Sequence, residues 1–232
     1  MSAMRVNWKL ASLAIAMGFT TVGTAQAEGE WSGNVTLTSD YVFRGVTQTD
    51  NAPMVQGGFD WASDDFYVGT WASGVDFGDG TSTEIDLYAG WTPSMGEFDF
   101  DIGAIYYLYP DAPDEPEQNF VEVYAGTSTT LGEFLDVGAS VAYSPEFYLE
   151  TGGAVYSQVT AGVPLGENFG LDASLGFQEF LDDDECPDCS YGDYSIGLTT
   201  AFEGFGLDFR YIDTFDLDGN EESFVVSVSR SL

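Results

Sequence analysis

The chemistry open to this chain is carboxylate chemistry. Its 232 residues include 39 Asp and Glu, 5 Lys and Arg, and no His, for a formal net charge of −34. Without an imidazole, Ser–His and Cys–His nucleophile arrangements have no base, and His-ligated zinc or iron sites cannot be assembled. A carboxylate-only glycosidase needs only two acids at a suitable separation. With acids this frequent, such a pair arises by chance and names no site. The expectation is therefore no enzyme: no catalytic residue, no metal site and no cofactor.

The remaining reactive constellation is Cys186 and Cys189, in DDDECPDC. A two-residue gap suits a redox motif, half of a zinc site or a short disulfide. No second CxxC or His completes a zinc site, and no βαβ pattern surrounds the pair. A disulfide across an exported loop is expected, with little stabilisation because the loop it closes is short. DLDGNEE, from Asp216 to Glu222, lacks the twelve-residue spacing of a calcium loop, and its Asp218-Gly219 is a good turn dipeptide.

Export follows from residues 1–27. Arg5 and Lys9 precede the apolar run LASLAIAMGF, and Ala25-Gln26-Ala27 is an A-x-A cleavage signal. The run is too short to cross a bilayer as a helix, which takes about 20 residues. Residues 1–27 are expected to be a cleaved signal peptide and residues 28–232 a single domain. Beyond residue 27 the only basic residues are Arg44, Arg210 and Arg230. Such a chain repels nucleic-acid phosphates and has no basic patch for anionic lipid. The acidity also fits a soluble surface in a salty habitat. Aromatics make up 16% of the residues, which excludes a disordered acidic chain.

The elements that must carry these acids are strands. No later stretch suits a transmembrane helix, and period-two alternation recurs instead. Twelve strands are predicted near 33–46, 53–62, 66–76, 83–92, 97–109, 118–130, 133–144, 151–164, 168–180, 191–203, 205–214 and 222–232. In 83–92, Ile85, Leu87, Ala89 and Trp91 share one face, and Glu84, Asp86, Tyr88 and Gly90 share the other. In 168–180, Phe169, Leu171, Ala173, Leu175 and Phe177 oppose Asp172, Ser174, Gly176 and Gln178. About ten residues per strand suits a tilted membrane crossing. A soluble β-sandwich or ligand barrel shows the same alternation with its apolar face inward. Connection lengths favour the membrane. The odd connections are long and polar, from VTQTDNA to FDLDGNEE, and the even ones are short, such as SDD and LGE. That is the loop asymmetry of outer-membrane barrels.

The fold class expected is thus all-β: a transmembrane antiparallel barrel of about 12 strands, with short periplasmic turns and longer extracellular loops. Trp31, Trp61, Trp71, Trp91, Tyr67, Tyr106, Tyr143 and Phe202 are expected in interfacial girdles, ordinary core packing being the alternative. If the apolar face meets lipid, the pore-lining residues are Asp40, Arg44, Asp60, Glu84, Asp86, Asp99, Asp101, Glu122, Asp136, Asp172, Asp208 and Arg210. Carboxylate rings favour cations, and twelve strands lie between barrels filled by side chains and wide porins. Partners would be outer-membrane lipid and small ions or solutes, with the oligomeric state left open.

The first hairpin, SDYVFRGVTQTDNAPMVQGGFDW at 39–61, resembles the TorF-type porins, a proteobacterial outer-membrane family. WASGVDF (71–77), EIDLYAGW (84–91), DIGAIYYLYP (101–110), VEVYAGTS (121–128) and the closing VVSVSRSL follow in that family's order. The resemblance implies one outer-membrane barrel with a channel role and no particular substrate. It also implies that Asp40 and Arg44 belong to a shared inner feature of the first strand. Three readings stand at this point: a passive channel with a narrow acidic, cation-preferring lumen; a non-conducting barrel whose acidic outer loops bind cations or a partner; and a soluble periplasmic β-protein.

Overall fold

The computed structural model describes residues 29–132, 134–182, 184, 186–187 and 189–232. The segment expected to be a signal peptide lies outside them. Among the described residues the alternating segments form twelve strands that wrap into one wall: β1 (Glu30–Thr38), β2 (Met54–Ser63), β3 (Phe66–Gly74), β4 (Thr83–Trp91), β5 (Phe98–Leu108), β6 (Phe120–Leu131), β7 (Leu135–Ser144), β8 (Ala154–Leu165), β9 (Phe169–Phe180), β10 (Tyr191–Phe202), β11 (Phe205–Phe215) and β12 (Ser223–Ser231). Each pairs antiparallel with its sequence neighbour. β1 also pairs with β12, Asn34 facing Ser231 and Thr38 facing Ser227, so the ring closes. A closed barrel satisfies its backbone within the wall and leaves no edge strand.

The ends of the barrel differ. Residues 64–65, 92–97, 166–168 and 203–204 make short turns at one end, and the longer connections gather at the other. Glu203 and Gly204 both adopt positive φ, 50° and 82°, the two-residue turn whose twist matches that of the flanking strands.

The outer face is apolar. Val55, Val68, Leu87, Ile102, Val123, Val159, Leu175 and Ile196 are all exposed along it. Aromatic rings cluster where the short turns lie: Trp31 at the start of β1, Trp91 ending β4, Phe98 opening β5 and Phe202 ending β10 are exposed. Tyr106, Tyr143 and Phe177 are exposed toward the long-loop end. Two expected girdle residues face the other way. Trp71 is buried in the interior against Tyr41, their ring centroids 5.3 Å apart. The Tyr67 hydroxyl donates to Asp101 Oδ1 at 2.8 Å and is bonded to the Tyr124 hydroxyl. Both sit one residue out of phase with the apolar stripe of β3, where Phe66 and Val68 point outward.

The interior is lopsided. Strands β3–β6 fill their half with Trp71, Tyr88, Ile105, Tyr107, Phe120 and Tyr124. The inward tyrosines of this half lie across from glycines. Tyr88 pairs with Gly69, Tyr67 with Gly90 and Tyr124 with Gly103. A Cβ at any of these glycines would overlap the ring. The half bounded by β1 and β7–β12 carries smaller Ser, Thr and Gly side chains and stays open.

One element departs from the expectation. The first strand ends at Thr38 rather than near 46, and residues 39–53 turn into the barrel. Val42–Phe43 and Val46–Thr47 form a small separate hairpin inside it. The reversal is polar. Thr38 Oγ1 donates to the Asp40 carbonyl at 2.6 Å, and Asp40 Oδ1 accepts from Thr47 Oγ1 at 2.7 Å and Thr49 Oγ1 at 2.8 Å. These bonds give the reversing chain polar partners as it leaves the wall.

Candidate functional site

The inner hairpin divides the lumen. Its tip is Arg44-Gly45, with φ of 48° and 84°. A two-residue turn of this hand suits Asn-Gly or Gly-Gly far better than Arg, so Arg44 is held at a cost in backbone strain. What holds it is side-chain bonding across the barrel. Arg44 Nη2 meets Glu122 Oε2 on β6 at 2.7 Å, with both side chains almost wholly buried, and Nη1 donates to Gln178 Oε1 on β9 at 2.8 Å. The Tyr107 hydroxyl donates to the same Glu122 oxygen at 3.1 Å. The guanidinium also lies over the Tyr156 ring, 4.2 Å from its centroid. Tyr41, at the base of the hairpin, donates to Glu84 Oε1 on β4 at 2.7 Å. The hairpin is thus anchored to both halves of the wall.

Gly45 seats the tip. A Cβ there would overlap Thr214 Cγ2 and approach Asp193 Cβ to 2.9 Å, while Asn220 Nδ2 donates to the Gly45 carbonyl at 3.0 Å. Gly45→Val combines a wall clash with a φ that a β-branched residue avoids. It is expected to unseat the hairpin and leave the barrel closed. The check is increased protease cleavage within 41–48 alongside an unchanged heat-modifiable band on a gel; a still-protected hairpin would contradict it.

Below the hairpin, toward the short turns, lies a chamber of about 620 Å³. Six carboxylates line it, from Asp40, Asp86, Asp136, Asp172, Asp193 and Asp208, against the two guanidiniums of Arg44 and Arg210. Both guanidiniums are ion-paired. Arg210 Nη1 meets Asp172 Oδ1 at 2.7 Å, and Nη2 meets Asp208 Oδ2 at 3.0 Å. Asp40 Oδ2 and Asp86 Oδ1 have no hydrogen-bond partner among the described residues, although both side chains are nearly buried. Acidic side chains thus outnumber basic ones on the chamber wall, six to two.

Above the hairpin is an outer vestibule of about 560 Å³, walled by rings that include Phe77, Tyr109, Phe147, Tyr148 and Tyr191. Phe43 lines both spaces. The loop after β3 is fastened to the loop after β5. Asp79 Oδ1 accepts from the Thr81 amide at 2.9 Å, Asp79 Oδ2 from Gln118 Nε2 at 2.6 Å, and Asp111 Oδ2 from the Ser82 amide at 3.1 Å. The backbone bond from Thr81 above all holds the Asp79 carboxyl below its ordinary range, and the Ser82 hydroxyl does the same for Asp111. Groups depressed on folding add stability above their unfolded pKa, about 4 for Asp, and lose it as pH falls through the folded value. The fastening is expected to hold from neutral pH down to about 4 and loosen below. Amide exchange at Thr81 and Ser82, corrected for intrinsic rates, should accelerate there; unchanged protection would contradict it.

The twelve residues expected to line a pore fall into three groups. Asp40, Arg44, Asp86, Asp136, Asp172, Asp208 and Arg210 line the chamber. Glu84 and Glu122 are buried beside it as anchors for the hairpin. Asp60, Asp99 and Asp101 do not reach it. Asp60 accepts from the Tyr88 hydroxyl at 2.5 Å and Asp101 from Tyr67, so both cap rings in the packed half, and Asp99 is exposed at the short-turn rim on Ser94 Oγ at 2.6 Å. Asp193 was not anticipated, although the period-two step from Asp193 to Ser195 on β10 carries its signal. Cys186 and Cys189 are disulfide-bonded. Among the described residues no cluster of His, Cys, Asp and Glu is arranged to hold a metal ion.

The closed antiparallel barrel is a fold that solved outer-membrane channels share. The chain matches the KdgM porin in complex with disordered oligogalacturonate at a TM-score of 0.60 and 7% identity, over 87% of this chain and 98% of that one. It matches the COG4313 outer membrane channel from Pseudomonas putida F1 at a TM-score of 0.55 and 13% identity, over 90% and 97%. At these identities the likeness is one of fold. By sequence the chain belongs to the Gcw_chp family, a bacterial protein family of unknown function whose model matches residues 23–230. No curated protein matches it.

Proposed function

We propose that this protein is a porin-like channel of a bacterial outer membrane, passing small ions or solutes passively and preferring cations. The observation that carries this reading is the chamber: a half-open lumen that holds six carboxylates against two paired guanidiniums. Rings of carboxylate attract cations and exclude anions. The apolar outer face with aromatic ends supports a bilayer setting, as do the fold neighbours. So does the expected signal peptide, with residues 28–232 as the barrel. The resemblance to the TorF-type porins points the same way. A polyanion such as the oligogalacturonate bound by KdgM would be repelled here, so substrate does not transfer along with the fold. No enzymatic role is part of the reading.

Liposomes carrying the refolded protein are expected to swell in isosmotic solutions of small solutes and to stop swelling as solute size grows. The rival reading is a non-conducting barrel that works through its acidic outer loops. The ring-filled half of the lumen favours it, and absence of swelling for every solute would select it.

A further inference from the structure

We infer that the outer vestibule is a recognition site for small organic cations, ammonium ions with an apolar body. This deepens the channel reading by naming what the channel admits, but binding itself requires no conduction.

The vestibule has the size of a small-molecule pocket, about 560 Å³. One wall is a three-ring cluster. Phe77 lies 5.5 Å from both Tyr109 and Tyr148, and Tyr109 lies 5.8 Å from Tyr148, centroid to centroid. The floor is Phe43 and Phe147, and these two rings already hold a cation. The Arg44 guanidinium sits 4.6 Å from the Phe43 centroid and 5.9 Å from that of Phe147. Ring faces attract cations at this range, and Glu122 neutralises the resident one.

Charge on the lining has one sign. Asp50 and Asp76 contribute carboxylates, and no Lys or Arg is among the described lining residues. The neighbouring loop adds Asp111, Asp114, Glu115 and Glu117 without a base. Burial, with Asp79 and Glu84 adding to it, raises the Tyr148 phenol above its ordinary range, so that ring stays neutral beside the acids.

Anions are repelled by the rim. Neutral sugars stack on rings but gain nothing from the carboxylates' charge. Inorganic cations gain the charge but hold their water too tightly to use the rings. An organic cation uses both, and acidic walls raise its local concentration at the mouth.

The test is calorimetric titration of benzyltrimethylammonium into the full-length barrel in uncharged detergent, with benzyl alcohol and benzoate for comparison. Saturable binding of the cation is expected, at least ~10-fold tighter than benzyl alcohol, with no binding of benzoate. Tyr148→Ala should weaken the cation about 10-fold. Asp76→Asn should weaken it less, and it is safe for folding because Asp76 is exposed and its carboxylate, among the described residues, accepts from the Gly78 amide alone, at 3.1 Å. Should Tyr148→Ala not fold, Asp76→Asn carries the comparison. Cation binding no tighter than that of benzyl alcohol, or affinity unchanged in the folded variants, would overturn the inference. A barrel that binds but does not conduct would remove the channel reading alone, and one that conducts without binding would remove this inference alone.

Discussion

Arg44→Ala is expected to give a larger conductance and a less stable barrel. Arg44 is the only cation among the inner-hairpin residues, and it is strained at φ 48°. Its bonds to Glu122 and Gln178 tie the hairpin to β6 and β9. Truncation removes that tie and leaves Glu122 buried opposite no charge. Breaking a buried pair from one side costs about 3–5 kcal/mol, and the near-complete burial of both side chains places this pair in that range. The barrel can relieve the cost by letting water reach Glu122, which requires the hairpin to move off it. Chamber and vestibule would then join, single-channel conductance would rise severalfold, and the temperature of the heat-modifiable transition would fall. R44M/E122M, which removes both charges, should regain most of the stability and keep the larger conductance. Unchanged conductance in Arg44→Ala would mean that the hairpin does not constrict the path.

The second large effect concerns selectivity and has two signs. Arg210 stands between Asp172 and Asp208 on the chamber wall and neutralises much of their charge. Arg210→Gln exposes two carboxylates to the path and should raise the preference for cations. Asp172→Asn with Asp208→Asn leaves Arg210 alone and should lower it. Screening acts over about 10 Å at 0.1 M salt and about 3 Å at 1 M, so the variants should separate at low salt and converge at high salt. Reversal potentials measured at both strengths check this. Shifts of the same sign in the two variants would place Arg210 away from the conducting path.

The barrel wall was legible in the sequence because a lipid-facing wall must alternate, and alternation survives in single residues. Glu84, Asp86 and Tyr88 against Ile85, Leu87 and Ala89 is enough to give β4 and both of its faces. The loop asymmetry gave direction to the ends. The interior was less legible, since facing inward does not say what a residue meets there. Asp60 and Asp101 carry the same inward signal as Asp172, yet they meet tyrosines seated over glycines on neighbouring strands. That pairing depends on register, which the pattern of one strand does not reveal. The hairpin was hidden for a related reason. Val42, Phe43 and Val46 continue a strand-like pattern past Thr38, and the bonds from Asp40 to Thr47 and Thr49 that reverse the chain are seven and nine residues long in sequence. Arg44 in a left-handed turn is a poor choice on local grounds, and a residue so placed marks what the surrounding structure is built to hold.

The most direct test of a cation-preferring conduit is the zero-current potential of the wild-type barrel in a planar bilayer under a KCl gradient. Discrete conductance steps are expected, with a reversal potential displaced toward that of K⁺. A zero-current potential displaced toward that of Cl⁻, or a folded barrel with no steps at all, would contradict the account.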